Sequence, residues 1–161
     1  MSLENPLWRY ATALYSQPGV EQYCLQLQDQ GVIVTRLLFA CWLARRGVLL
    51  TRKRMQALPD AWHREVIEPL RAVRLRVRGQ LSRMPEAEPC YRVLCQAELA
   101  AEQQELMQLW LLGRDWPSEE EADPALLQSN LEQVLGDADD RPDTGQPSPL
   151  VAAVQALWTG D

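Results

Sequence analysis

Between Trp62 and Met84 the apolar residues Trp62, Val66, Leu70, Val73, Val77, Leu81 and Met84 recur at steps of three and four, the period of one face of an α-helix. Arginines run beside that stripe. The same period organises most of the chain. Asn5 before Pro6 marks a helix start, an N-cap followed by a residue with no N–H to leave unpaired. Leu7, Tyr10, Ala11 and Leu14 share one face of this first helix, which runs to about Ser16. A second amphipathic helix carries Val20, Cys24, Leu25 and Leu27 and stops near Gly31. The next stretch, VIVTRLLFACWLARRG, is nearly all apolar up to Arg45, Arg46 and Gly47, so it is expected to be the buried centre of the fold, with cations at its C-terminus and glycine as its stop.

Thr51 caps a short helix through Leu58, with Arg52, Lys53 and Arg54 at its start, where cations oppose the helix dipole. Asp60 then caps the long helix that carries the stripe. Pro69 lies inside that helix and removes one backbone hydrogen bond while crowding the Glu65 carbonyl, so a kink is expected there. Residues 84–89, MPEAEP, make the connection to a second long helix, Cys90 to Leu112, with no internal Pro or Gly. If these two helices fold back about residue 86, Arg74 comes level with Glu98 and Arg71 with Glu102. Such pairs would set the register of the hairpin more than stabilise it, because desolvation cancels much of the Coulomb attraction.

After Gly113, RDWPSEEEADP is an acidic turn region, and Pro124 opens a helix through Leu126, Leu127, Leu131, Val134 and Leu135 to Gly136. The pattern predicts an all-α, single-domain helical bundle of about seven or eight helices, with a long antiparallel hairpin at about 61–83 and 90–112. Residues 1–136 form the bundle domain, 137–147 an acidic flexible linker, and 148–159 a C-terminal helix that either docks on its own domain or serves a partner.

Composition agrees with helices: Ile occurs only at 33 and 67 and Phe only at 39, so strand-favouring residues are scarce. The net charge of −6 is segregated. Residues 36–83 hold twelve basic and three acidic residues, whereas 84–161 hold three basic and sixteen acidic. Adjacent segments of opposite sign favour pairing within the fold. Cys24, Cys41, Cys90 and Cys95 show no metal-ligand spacing and read as reduced thiols of a cytoplasmic protein. No apolar run is long enough to span a bilayer.

Candidate chemistry is thin. His63, the single histidine, lies one position off the stripe and reads as a surface or boundary residue. Glu98 and Glu102 could be paired metal-binding carboxylates, but further inward Glu or Glu-x-x-His ligands are absent and arginines stand ready to meet them. No catalytic residues, metal site or cofactor is assigned, and phosphate-loop and dinucleotide glycine patterns are missing. The tryptophans fall mostly at helical core positions, with Trp116 in the acidic region outside the core.

The segment LWRYATALYSQPGVEQYCLQLQDQGVIVTRLLFACWLARRG, through Tyr15, Pro18, Gly19, Val20, Leu27, Gln28, Asp29, Leu37, Leu38, Phe39, Trp42 and Leu43, resembles the opening of a family of small proteobacterial proteins known only as a domain of unknown function. The resemblance continues through Trp62, Val66, Pro69, Leu70, Arg71 and Arg74, then Tyr91, Ala97, Glu98, Ala101 and Glu102, and so covers about residues 7–112. Ile33-Val34-Thr35 departs from the family's more polar Asp-Val-Asn. What the resemblance implies is a helical fold and no known activity.

The first functional reading is a non-enzymatic cytoplasmic interaction or regulatory module binding a protein partner through helical surface. The 36–83 arginine face and the C-terminal helix are the candidate surfaces. With Arg71 and Arg74 assigned to structural pairs with Glu98 and Glu102, the residues left for a partner or an anion are Arg52, Lys53, Arg54, Arg76, Arg78 and Arg83. A second reading places those same side chains on the phosphates of nucleic acid, and an enzyme of unrecognised type is third.

Overall fold

Asn5 does start the first helix: its Oδ1 accepts from Trp8 N at 2.9 Å, and Pro6 occupies the first turn of α1 (Pro6–Tyr15). In the computed structural model, which describes residues 2–136 and 148–159, α1 is followed by α2 (Val20–Asp29), α3 (Val34–Arg45) and the short α4 (Arg52–Gln56). The long hairpin comes next, as α5 (Glu68–Gln80) and α6 (Glu88–Gly113), and α7 (Pro124–Leu135) and α8 (Pro149–Thr159) complete the chain. No strand occurs among the described residues, and none of their helices is long and apolar enough to cross a membrane. The linker predicted at 137–147 lies outside the described residues.

The core forms around α3, where every residue from Leu37 to Ala44 is buried, as its unbroken apolar run requires. Helices α1, α6 and α7 pack on it, and α8 lies against α1, α2 and α7 with Leu150, Ala153 and Val154 buried. The apolar side of the C-terminal helix is therefore spent on its own chain. Two glycines are required by close approach. A Cβ on Gly113 would come within 2.7 Å of the Phe39 ring, so glycine lets α6 press on α3. Gly47 has φ +67°, and its carbonyl accepts from the amides of Glu119 and Glu120, which ties the acidic region to the end of α3.

Three expectations are corrected. Trp116 is half-buried and packs against the core, its ring 5.9 Å from Phe39, because the acidic region folds back over α3 instead of hanging free. Pro69 does not simply kink one helix. A π turn spans His63–Ile67, with the Glu68 amide donating to the His63 carbonyl. The wider turn accommodates a proline ring that would otherwise crowd the preceding carbonyl. That extra residue in the turn rotates the preceding segment, so His63 and Ile67 become buried while Trp62 and Val66 are only half-buried. His63 is thus a core residue and not a boundary one.

Beyond the π turn the stripe covers α6 only in part. No residue of α5 is buried, and its chief contacts are with α6 and the adjoining turns. Val73 remains 43% exposed and Met84 54%. The C-terminal half of α6 belongs to the core, where Ala101, Leu106, Met107 and Leu109 are buried. The distal half pairs with α5 as an arm.

Candidate interaction surface

Three layers of side chains can be followed from the base of the arm to its tip. At the base, Glu105 is 1% exposed. Its Oε2 accepts from Thr35 Oγ1 at 2.6 Å and lies 3.2 Å from His63 Nδ1, which assigns the ring proton to Nδ1 as donor. The Trp62 indole donates to the Ala101 carbonyl at 2.9 Å. Residues from α3, the π turn and α6 are joined here, and burying the Glu105 carboxyl is tolerated because Thr35 of α3 and His63 of the π turn both meet it. Glu98, Glu102 and Glu105, at spacings of four and three, share one face of α6, and that much is open to a reading of the sequence. What it could not supply was the phase shift of the π turn that brings His63 inward.

In the middle of the arm, Arg71 Nε donates to Glu98 Oε1 at 2.7 Å and Arg71 Nη2 to Glu102 Oε1 at 2.9 Å. Arg74 Nε donates to Glu98 Oε2. The four side chains assigned to structural pairs are thus brought together, with Arg71 bridging both glutamates. Burial alone would raise the Glu98 carboxyl, but the Arg74 and Arg71 guanidiniums hold it below its ordinary value. Glu102 goes the other way, raised because burial outweighs Arg71. Both carboxylates spend acceptor sites on guanidinium donors, which argues for a clamp and against a metal-binding pair.

Toward the tip the two sides of the arm differ. Because α5 and α6 are antiparallel, helical spacing puts Val73 and Val77 of α5 on the same side of the arm as Cys90, Val93 and Ala97 of α6, and Met84 follows α5 in the turn. The Trp62 indole bond to Ala101 marks this side at the base. Arg71, Arg74, Glu98 and Glu102 occupy the opposite side. Val93 is 62% exposed, so among the described residues the apolar side has no cover at the tip. Leu75 and Leu99 are also exposed, at the margins of the arginine side.

Most of the other basic residues of 36–83 fall into two groups. Arg46 closes the C-terminus of α6, donating to the Gly113 and Arg114 carbonyls, each at 2.8 Å, with its guanidinium 4.5 Å from the centre of the Trp42 ring. Arg54 donates to the Leu49 carbonyl at 2.7 Å and lies 4.6 Å from the Trp116 ring centre. Lys53 and Arg54 line an open groove of about 500 Å³ that Glu119 and Glu120 also line, so an anion would meet both signs of charge. Arg52 and Lys53 are exposed, as are Arg76, Arg78 and Arg83 on the arm. The arm's three have no ion pair among the described residues.

Two features carried no sequence signal strong enough to find them. Asn130 is fully buried in the middle of α7. Its Oδ1 accepts from Leu50 N at 2.7 Å, and its Nδ2 donates to the Val48 and Ala40 carbonyls at 3.0 and 3.3 Å. The other is the thiol environment: burial raises Cys41 and pushes Cys24 up to about 12. Both are free and held as inert thiols.

No curated protein and no solved structure matches the chain. One family model does match, over residues 6–109, from the start of α1 into the C-terminal part of α6 and so across the whole arm, and the chain belongs to that family, described as protein of unknown function (DUF2390).

Proposed function

We propose that the protein is a non-enzymatic cytoplasmic interaction module that binds a protein partner through the α5–α6 arm. The observation that carries this reading is the arm's uncovered apolar side. Val73, Met84 and Val93 stay 43–62% exposed on an element whose base and middle are fixed by buried hydrogen bonds and ion pairs. An apolar surface that is rigidly presented is the ordinary mark of a binding site. The C-terminal helix offers no such surface, since Leu150, Ala153 and Val154 are already buried. Four free cysteines suit a reducing compartment.

The alternative reading, nucleic-acid association, is favoured by one observation, the exposed Arg76, Arg78 and Arg83, which have no ion pair among the described residues. It gives no role to the apolar side. Affinity capture from lysate with the full chain and with its Val93→Asp, Met84→Asp double variant tests the proposal. A partner enriched by the parent and lost by the variant supports it, and equal capture by both ends it. A strongly salt-dependent mobility shift of mixed-sequence nucleic acid would transfer support to the alternative.

A further inference from the structure

The shape and charge of the arm narrow the kind of partner, on the reading that the arm is the binding element. Two packed antiparallel helices leave a shallow groove between them, and a third helix seats there at the usual interaxial distance of about 8–10 Å. From Val73 to the end of α5 at Gln80 the apolar side runs about 10 Å at ~1.5 Å per residue, some two turns of helix, and Met84 lies past it in the turn. This matches a short amphipathic helix with anchors at i, i+3 or i+4, and i+7.

The edges of the groove are unlike. On one edge stand Arg76 of α5, three residues beyond Val73, and Arg83 in the turn that follows α5 at the tip. Both are exposed and without an ion pair among the described residues. On the α6 edge, at Gln96 and Ala100, no side chain is charged. Arg78 projects on the other side of the arm, with the Arg71–Glu98 clamp. A basic edge facing a neutral one selects carboxylates along a single flank of the incoming helix.

We infer that the arm's groove takes an acidic amphipathic helix, its apolar stripe on Val73, Val77 and Val93 and its carboxylates against Arg76 and Arg83. The chain's net charge of −6 disfavours acidic partners at long range. Recognition therefore depends on short-range contact with these two arginines on an apolar floor, an arrangement that rejects polyanions lacking an apolar face.

The test is selection of a displayed library of randomised helix-forming peptides, about 18 residues or five turns long, on the full-length protein. Selected peptides should carry the apolar spacing and an excess of Asp and Glu on one flank. Val93→Asp should weaken their binding by about tenfold or more, as should the Arg76→Glu, Arg83→Glu pair, whereas Arg78→Glu should leave it within about twofold. Changing the peptide's flanking carboxylates to lysine should restore binding to the Arg76→Glu, Arg83→Glu protein. All four positions are exposed, so the variants should keep the parent's circular dichroism spectrum. Neutral or basic selected peptides, or an Arg78→Glu loss as large as that of the pair, would overturn the inference. If that happens while Val93→Asp, Met84→Asp still loses the lysate partner, the arm remains the binding element and only the acidic helix is wrong.

Discussion

Consider replacing Arg74 and Glu98 singly and together, with methionine and glutamine. Glu98 is 9% exposed at its side chain, Arg71 18% and Arg74 15%, so water compensates little for a lost partner. Breaking a fully buried pair costs about 3–5 kcal/mol. Here both guanidiniums still reach solvent and Arg71 keeps Glu102, so Glu98→Gln should cost about 2 kcal/mol and Arg74→Met about 1.5, discounted from that range. The double variant should cost at least 1 kcal/mol less than the sum, roughly, because either change alone already spoils the interaction. Urea unfolding at neutral pH resolves this, with midpoint shifts of about 0.5–1 M at an ordinary slope. Additivity within about 0.5 kcal/mol would show that the clamp is not an energetic unit.

The same site predicts a pH dependence. With its carboxyl held below the ordinary value, Glu98 binds fewer protons in the folded than in the unfolded chain. Its contribution is then complete above the unfolded glutamate value of about 4.3 and is lost as pH falls through the lower folded value. Glu98→Gln should flatten that acid limb. Glu102, raised by burial, has the opposite sign: its ionisation removes stability as pH rises from the ordinary value through the raised one. Glu102→Gln should abolish that opposing loss.

Other perturbations test how the arm is held. Asn130→Ala orphans the buried Leu50 amide and Val48 carbonyl of the α3–α4 connection and removes the bond to the Ala40 carbonyl of α3, for a cost of about 2–4 kcal/mol by thermal unfolding; a loss under about 1 would mean the site rehydrates. Gly113→Ala drives a methyl into Phe39 and should cost about 1–3 kcal/mol, part of it recovered by adding Phe39→Leu, whereas no recovery would place the strain elsewhere. Thr35→Val removes one donor from Glu105, at about 1–2 kcal/mol. It should raise amide hydrogen exchange in α5 more than in α1, and a uniform increase would deny the base its anchoring role.

The helical class and the positions of most helices are legible in the chain because apolar spacing and caps agree, as at Asn5-Pro6 and along Leu37–Ala44. The level of Arg71 and Arg74 with Glu98 and Glu102 follows from counting back from the turn near residue 86. Other features depend on tertiary contact. The π turn before Pro69 shifts the phase by a residue, which buries His63 and Ile67 where simple periodicity selects Trp62 and Val66. Asn130 resembles any helical asparagine until Leu50, Val48 and Ala40 converge on it. The apolar stripe of 62–84 reads as core from its period, and only the absence, among the described residues, of a second packing partner along the arm leaves Val73 and Met84 open to water. That same stripe, half used by α6, is the surface on which the functional reading rests.

A photo-crosslinking amino acid placed at Val93, with exposed Gln26 on α2 as the control position, tests that surface most directly in living cells. The arm as binding element predicts a discrete protein adduct from position 93 that position 26 does not give and that Met84→Asp suppresses. No adduct from position 93, or the same adduct from both positions, would contradict it.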